Sequence, residues 1–347
     1  MTLDELHFTL PSTYAHWSAN DLQIWEERDS TEPKSREQIS LSELISTVIR
    51  DPGLLPTSQL LIEDVQSCLS AIQADIHKIS SHRGTPQSED ISNVIQKESL
   101  RTRLNALRTE LDQIANQPNN GEFGHEQHLP LRFYFGWEDQ SQPQWQRRVL
   151  SRVNCLLFST IMFYHLQSIS LYSDIKMLAQ IARDQISTSE GAEVSEIQQQ
   201  AHSKREQWAQ NWAQSPGGRR SICHAYDVLA SQQNIKERYS IAKEQVDPMS
   251  HVALCAAALV ISSFCKYYDQ GCDLCVTSPI GILEMTRWGN EEKEAWIDMP
   301  YVCRPSVQGI QLCRCNSDFL VALFRPHLPD DWRLAEILAP GIFKLPA

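Results

Sequence analysis

The chain has 347 residues, 41% hydrophobic and 21% charged, and its 31 Lys and Arg against 43 Asp and Glu leave a formal net charge of −12. That is enough apolar material for one large core or two smaller ones. So acidic a chain repels a phosphate backbone, which argues against nucleic-acid binding by the chain alone. Its ten cysteines, with no apolar signal core in the acidic opening Met1-Thr2-Leu3-Asp4-Glu5, read as free, mostly buried thiols in a reducing compartment.

In chain order the apolar spacing is helical almost throughout. Residues 40–50 form a short helix stopped by Asp51-Pro52-Gly53. Residues 58–81 continue as helix, with Leu61, Val65, Leu69, Ile72 and Ile76 on one stripe, until His82-Arg83-Gly84-Thr85-Pro86 breaks it. Leu100, Leu104, Leu107, Leu111 and Ile114 then alternate four and three apart. Two heptads are too few for a coiled coil, so a helical hairpin is expected there. Residues 116–130 are a loop by composition, and Phe133-Tyr134-Phe135-Gly136-Trp137 is either a strand-like connection or a docking segment.

One very long or kinked helix is expected over 144–187, and a second over 193–214. Others follow over 215–231 and 248–268. The apolar runs 153–166 and 252–265 contain Ser and fall short of the roughly 20 residues that a membrane span needs, so they read as core helices. From 269 to 316 Gly and Pro loosen the pattern, and short helices over 317–324 and 332–338 close the chain. No stretch alternates long enough for a sheet. The expected fold is all-α, a large irregular multi-helix domain built around long central helices. An N-terminal region (1–130, with the hairpin) and a C-terminal core (131–347, with the irregular 269–316) together form one continuous domain.

Chemistry-bearing clusters are few. Glu122, His125, Glu126 and His128 make a single Glu-x-x-His, where a di-iron bundle needs two, and the histidine spacing is one residue short of the zinc-protease pattern. Cys272, Cys275, Cys313 and Cys315 could form a four-thiolate zinc site, although the second pair is a residue too close and Cys303 intervenes. Free thiols are the plainer reading. Gly217-Gly218-Arg219-Arg220 at a helix start could hold an anion on backbone N–H groups and guanidiniums. The simpler expectation is a helix corner: Trp208 and Trp212 on one face, Ser215 as N-cap, Pro216 at the first helical position, Trp212 buried, and Arg219 or Arg220 paired to a carboxylate of another helix. His224, one turn further, is expected to be a hydrogen-bonded core histidine. Arg219-Arg220-Ser221 has the look of a basic kinase site, but its Ser lies in a helix. No Gly-x-Ser-x-Gly elbow, Gly-x-Gly-x-x-Gly loop or acidic metal-binding pair occurs; Asp330-Asp331 is followed directly by Trp332.

The run Trp212-Ala213-Gln214-Ser215-Pro216-Gly217-Gly218-Arg219-Arg220-Ser221-Ile222-Cys223-His224-Ala225 resembles a signature of fungal-specific transcription factors, where it joins two helices of the regulatory region. Leu10-Pro11 with Trp17-Ser18-Ala19 and Trp25 looks like that family's Leu-Pro…Trp-x-Ala…Trp segment. Tyr164-His165-Leu166-Gln167-Ser168-Ile169-Ser170-Leu171 resembles its long-helix run, and Pro248 followed by 251–259 resembles its apolar helix. These segments correspond to the later regulatory region of members carrying two-Cys two-His zinc fingers. No finger precedes them in this sequence, so DNA binding is carried over to no residue.

The resemblance implies transcription regulation in the nucleus (the cytoplasm being the alternative), through protein partners – the chain itself or the transcriptional machinery – or a small-molecule effector. It implies no catalytic, cofactor-binding or metal-binding residue, no cofactor and no membrane contact. Two other readings stay open: a helical metabolic enzyme with an unrecognised site, and a stand-alone coactivator or corepressor.

Overall fold

Helix takes 79% of the described residues, as the 3.6-residue spacing of apolar positions requires. The computed structural model describes residues 9–30, 32–50, 60–81, 91–116, 133–134, 136, 143–189, 195–239, 246–268, 282–285, 289–299, 304–330 and 332–343. The chain divides into two compact units, one of residues 1–76 with 89–164, the other of 77–88 with 165–347.

The first unit contains α1 (Tyr14–Trp17), α2 (Leu22–Asp29), α3 (Lys34–Gln38), α4 (Leu41–Arg50), most of α5 (Ile62–Ser81), α6 (Ile91–Asn116) and α7 (Trp145–Tyr172) up to Tyr164. A reciprocal cap starts α4. The Ser40 hydroxyl accepts from Glu43 N at 3.1 Å, and the Glu43 carboxylate accepts from Ser40 N at 2.9 Å. The helix expected from 58 begins only at Ile62, because the Asp64 carboxylate turns back to take the Leu61 N–H at 2.9 Å. Leu61, Val65, Leu69, Ile72 and Ile76 are all buried, as are Leu100, Leu104, Leu107 and Leu111 of α6. Ile114 is half-buried, and Arg103 of α6 reaches Asp75 of α5 at 3.9 Å.

Arg36 makes a two-pronged bond to Asp64 at 2.6 and 2.9 Å and also donates to Pro11 O at 2.8 Å. Both charged side chains are buried. The aromatic segment docks on its own unit. Phe133 and Tyr134 are buried, Phe133 O accepts from Ala15 N, and the Tyr134 hydroxyl accepts from Ile62 N at 3.0 Å while donating to Glu63 at 3.1 Å.

Burial pushes the Glu63 carboxyl above its ordinary value, with the Tyr134 hydrogen bond opposing. A carboxyl that holds its proton more tightly in the fold contributes stability that is fully present below its unfolded value. That contribution is lost as pH rises through the folded value. Glu63→Gln keeps an acceptor for Tyr134 and removes the charge. Its melting temperature is expected to exceed that of the wild type at pH 7, with the gap closing toward pH 4. A gap of equal size at both pH values would refute a buried-charge cost at Glu63.

The second unit is built on α11 (Pro248–Tyr267), in which residues 253–261 are all buried. Around it lie α8 (Ile175–Ser189), α9 (Glu196–Gln214), α10 (Pro216–Tyr239), α12 (Asn290–Asp298), α13 (Ser317–Ala322) and α14 (Leu334–Leu338). The one very long or kinked helix expected over 144–187 is two helices. The chain breaks at Ser173-Asp174, where the Asp174 carboxylate takes the Met177 N–H at 3.0 Å and so caps a new helix. α10 runs eight residues past its expected end, since Gln232 and Ile235 continue its buried face.

Sheet is almost absent, as expected, and limited to three short strands among the described residues. β1 (Ile282–Glu284) pairs parallel with β2 (Arg304–Val307), which pairs antiparallel with β3 (Ile310–Gln311). Val307 faces Ile310 across Gln308-Gly309, whose φ values of 53° and 76° make a two-residue turn of the primed type. Strands of two to four residues are too short to show alternation in sequence.

By length and composition α7 and α11 could each cross a membrane, longer than the apolar runs within them suggest; 56% and 78% of their most apolar windows are buried inside the protein. Core packing accounts for that apolarity.

Candidate functional site

The break between α9 and α10 forms as a corner. The Ser215 hydroxyl donates to Trp212 O at 2.7 Å and accepts from Gly218 N at 3.0 Å, with Pro216 at the first helical position. Gly218 sits so close to the preceding helix that a Cβ there would meet Trp212 O at 2.3 Å. Trp212 is buried, stacks on Trp208 at 6.2 Å and donates its indole N–H to Tyr172 O at 3.1 Å.

The two arginines divide the role expected of one. Arg220 makes a two-pronged pair with Glu294 of α12, at 2.8 Å in both arms. Arg219 is the buried one, and it donates to Ile297 O and Gln214 O at 2.7 Å each. With both guanidiniums spent on α12 and the end of α9, the corner is a helix-docking device rather than an anion cradle.

His224 is hydrogen-bonded, as expected, and its partner is His165: the two Nδ1 atoms lie 3.2 Å apart. Together with Asp227 they form a group whose ligand-type atoms all lie within 4.8 Å of one another. The geometry is that of a direct bond. Ring centroids 5.5 Å apart mean that the imidazoles point straight at each other. One ring donates and the other accepts. Both Asp227 oxygens meanwhile hold the Lys293 ammonium, at 2.7 and 2.9 Å.

The thiol cluster lies partly beyond view. Cys272, Cys275 and Cys303 fall outside the described residues, as do Glu122, His125, Glu126 and His128. Cys313 is half-buried and Cys315 is exposed. Ser221 is fully buried and accepts from the Ser173 hydroxyl at 2.6 Å, so the basic Arg219-Arg220-Ser221 run offers no accessible hydroxyl in this fold.

In the second unit a cavity of about 430 Å³ has the size to take a ligand. Its volume falls within the roughly 300–1,000 Å³ usual for small-molecule sites. α8 and α11 form its walls, α13 and the turn at Pro340-Gly341-Ile342 its ends. Gly341 has a φ of +70°, and a Cβ on it would come within 2.8 Å of the Ile186 side chain, so only glycine closes this wall without strain. Ile181, Ile186, Leu259 and Val321 give it apolar lining. Lys266 and Arg314 line it as well, with the Ser262 and Ser317 hydroxyls 3.4 Å apart.

Burial pushes the Lys266 ammonium below its ordinary value; Glu206 opposes this and Arg314 adds to it. Also in the lining, Gln185 donates to the Tyr267 hydroxyl at 2.5 Å, which in turn donates to Glu206 at 3.3 Å. Burial and the Glu206 carboxylate both push that phenol upward.

Sequence reasoning missed this cavity, although a signal existed: Lys266 is the one charged residue in α11. Arg314 sat unnoticed between the two cysteines that drew the zinc reading. No protein-family model matches the chain, and neither does any curated protein or solved structure.

Proposed function

We propose that this chain is the regulatory, protein-interacting part of a transcription factor of the fungal type, working in the nucleus without DNA contacts of its own and answering to an effector at the cavity of the second unit. One observation carries the reading. Two of the segments that carry the resemblance, the Tyr164–Leu171 run and the Trp212–Ala225 run, meet through the His165–His224 hydrogen bond and through Trp212 on Tyr172 O. The net charge of −12 supports recruitment by a partner rather than by phosphate contacts.

The purified chain is expected to give no sequence-dependent retardation of duplex DNA at physiological salt. Fused to an unrelated DNA-binding domain, it is expected to change reporter output, and the corner variant Gly218→Ala to abolish that change. Retardation that survives excess competitor DNA would refute the first half of the proposal, and an inert fusion the second.

A further inference from the structure

We infer that the cavity of the second unit binds a small organic acid with one negative charge and an apolar tail, its acid group held between Lys266 and Arg314 and its tail along Ile181, Ile186, Leu259 and Val321. The inference names the ligand class of the effector site and rests on that reading for the consequence of binding, though not for binding itself.

Three observations converge. Lys266 and Arg314 line the same cavity, both are exposed at its mouth, and neither has an anionic partner within ion-pair distance among the described residues. Lys266 and Arg314 repel one another, and an anion entering between them relieves that repulsion. The lining also offers the Ser262 and Ser317 hydroxyls as donors, and Ile181, Ile186, Leu259 and Val321 supply apolar surface for a tail.

The charge of the head follows from Asp318, which lines the same cavity at the first turn of α13. Asp318 in the lining, with Glu206 acting on Lys266 from beside it, opposes a second negative charge on the ligand, which favours a monoanion over a dianion. Arg314 supplies the planar fork that fits a carboxylate, and Lys266 a point charge beside it.

Octanoate is the probe, with 1-octanol, acetate and inorganic phosphate as controls, titrated calorimetrically into the full chain. Octanoate is expected to saturate one site, and 1-octanol to bind at least about tenfold more weakly, the usual worth of a charge-assisted hydrogen bond. Acetate, lacking the tail, and phosphate, lacking the tail and carrying excess charge, are expected not to compete. Lys266→Met and Arg314→Met should each weaken octanoate about tenfold, and Asp318→Asn should tighten it. All three side chains are exposed, so the variants are expected to melt with the wild type, and melting curves check this.

Equal binding of octanol and octanoate, phosphate binding as tightly as octanoate, undiminished octanoate binding to the Lys266→Met/Arg314→Met double variant, or no octanoate binding at all would each overturn the inference. The reporter fusion separates this from the regulatory reading. Octanoate binding by a transcriptionally inert fusion sinks the regulation and leaves the ligand class standing. An active fusion on a chain that ignores octanoate does the reverse.

Discussion

Arg36→Met is expected to destabilise the first unit by about 3–5 kcal/mol, since removing one partner of a buried ion pair leaves the other charge stranded. The side chains of Arg36 and Asp64 are 4% and 0% exposed. Asp64 would keep its bond from Leu61 N and lose both guanidinium bonds. Pro11 O would lose its donor as well. The loss is large against the 5–15 kcal/mol typical of a domain's total stability. Urea unfolding of Arg36→Met, Asp64→Asn and the double variant measures it. The double variant should be less destabilised than the sum of the single variants, because no charge is then left unpaired. Strict additivity, or a loss under about 1 kcal/mol for Arg36→Met, would contradict a desolvated pair.

At the corner, Arg219→Ala is expected to cost roughly 3–5 kcal/mol and Arg220→Ala only about 0.5–1 kcal/mol. Arg219 is 4% exposed, and its two bonds satisfy the carbonyls of Ile297 and Gln214. Deleting it orphans the buried Ile297 carbonyl and removes the tie to Gln214 O at the end of α9. Arg220 makes the better-looking ion pair, but Glu294 is half in water, where the charge it leaves behind is solvated. The ranking reverses what a hunt for salt bridges would suggest. Gly218→Ala belongs with Arg219→Ala, since its Cβ meets the backbone of Trp212, which cannot rotate away. Thermal unfolding of the three variants followed by tryptophan fluorescence tests the order, and an Arg220→Ala loss equal to that of Arg219→Ala would refute it.

How much was legible in advance differs from element to element. Ser195 capping Gln198, and Ser215 with Pro216 opening α10, are local events among residues three apart, and their residue types announce them. The break at Ser173-Asp174 is equally local but ambiguous. Asp174 can stay on the surface of a continuous helix or cap a new one, and the packing of Leu171 and Leu178 on either side decides which. The three short strands escaped because two to four residues carry no measurable period, and because β1 and β2 lie some twenty residues apart in the chain.

The sequence by itself determined the helical class, the buried stripes of α5 and α6, the apolar centre of α11 and the position of the corner, because each depends on spacing within one turn or one face. Only the tertiary structure decided which partner each polar group found: Asp64 for Arg36, two carbonyls for Arg219, His165 for His224. It alone assembled the cavity, whose lining comes from segments spread between Ile181 and Ile342. Such meetings depend on how helices far apart in the chain pack, and the identity of a lysine or an arginine does not say which surface it will face.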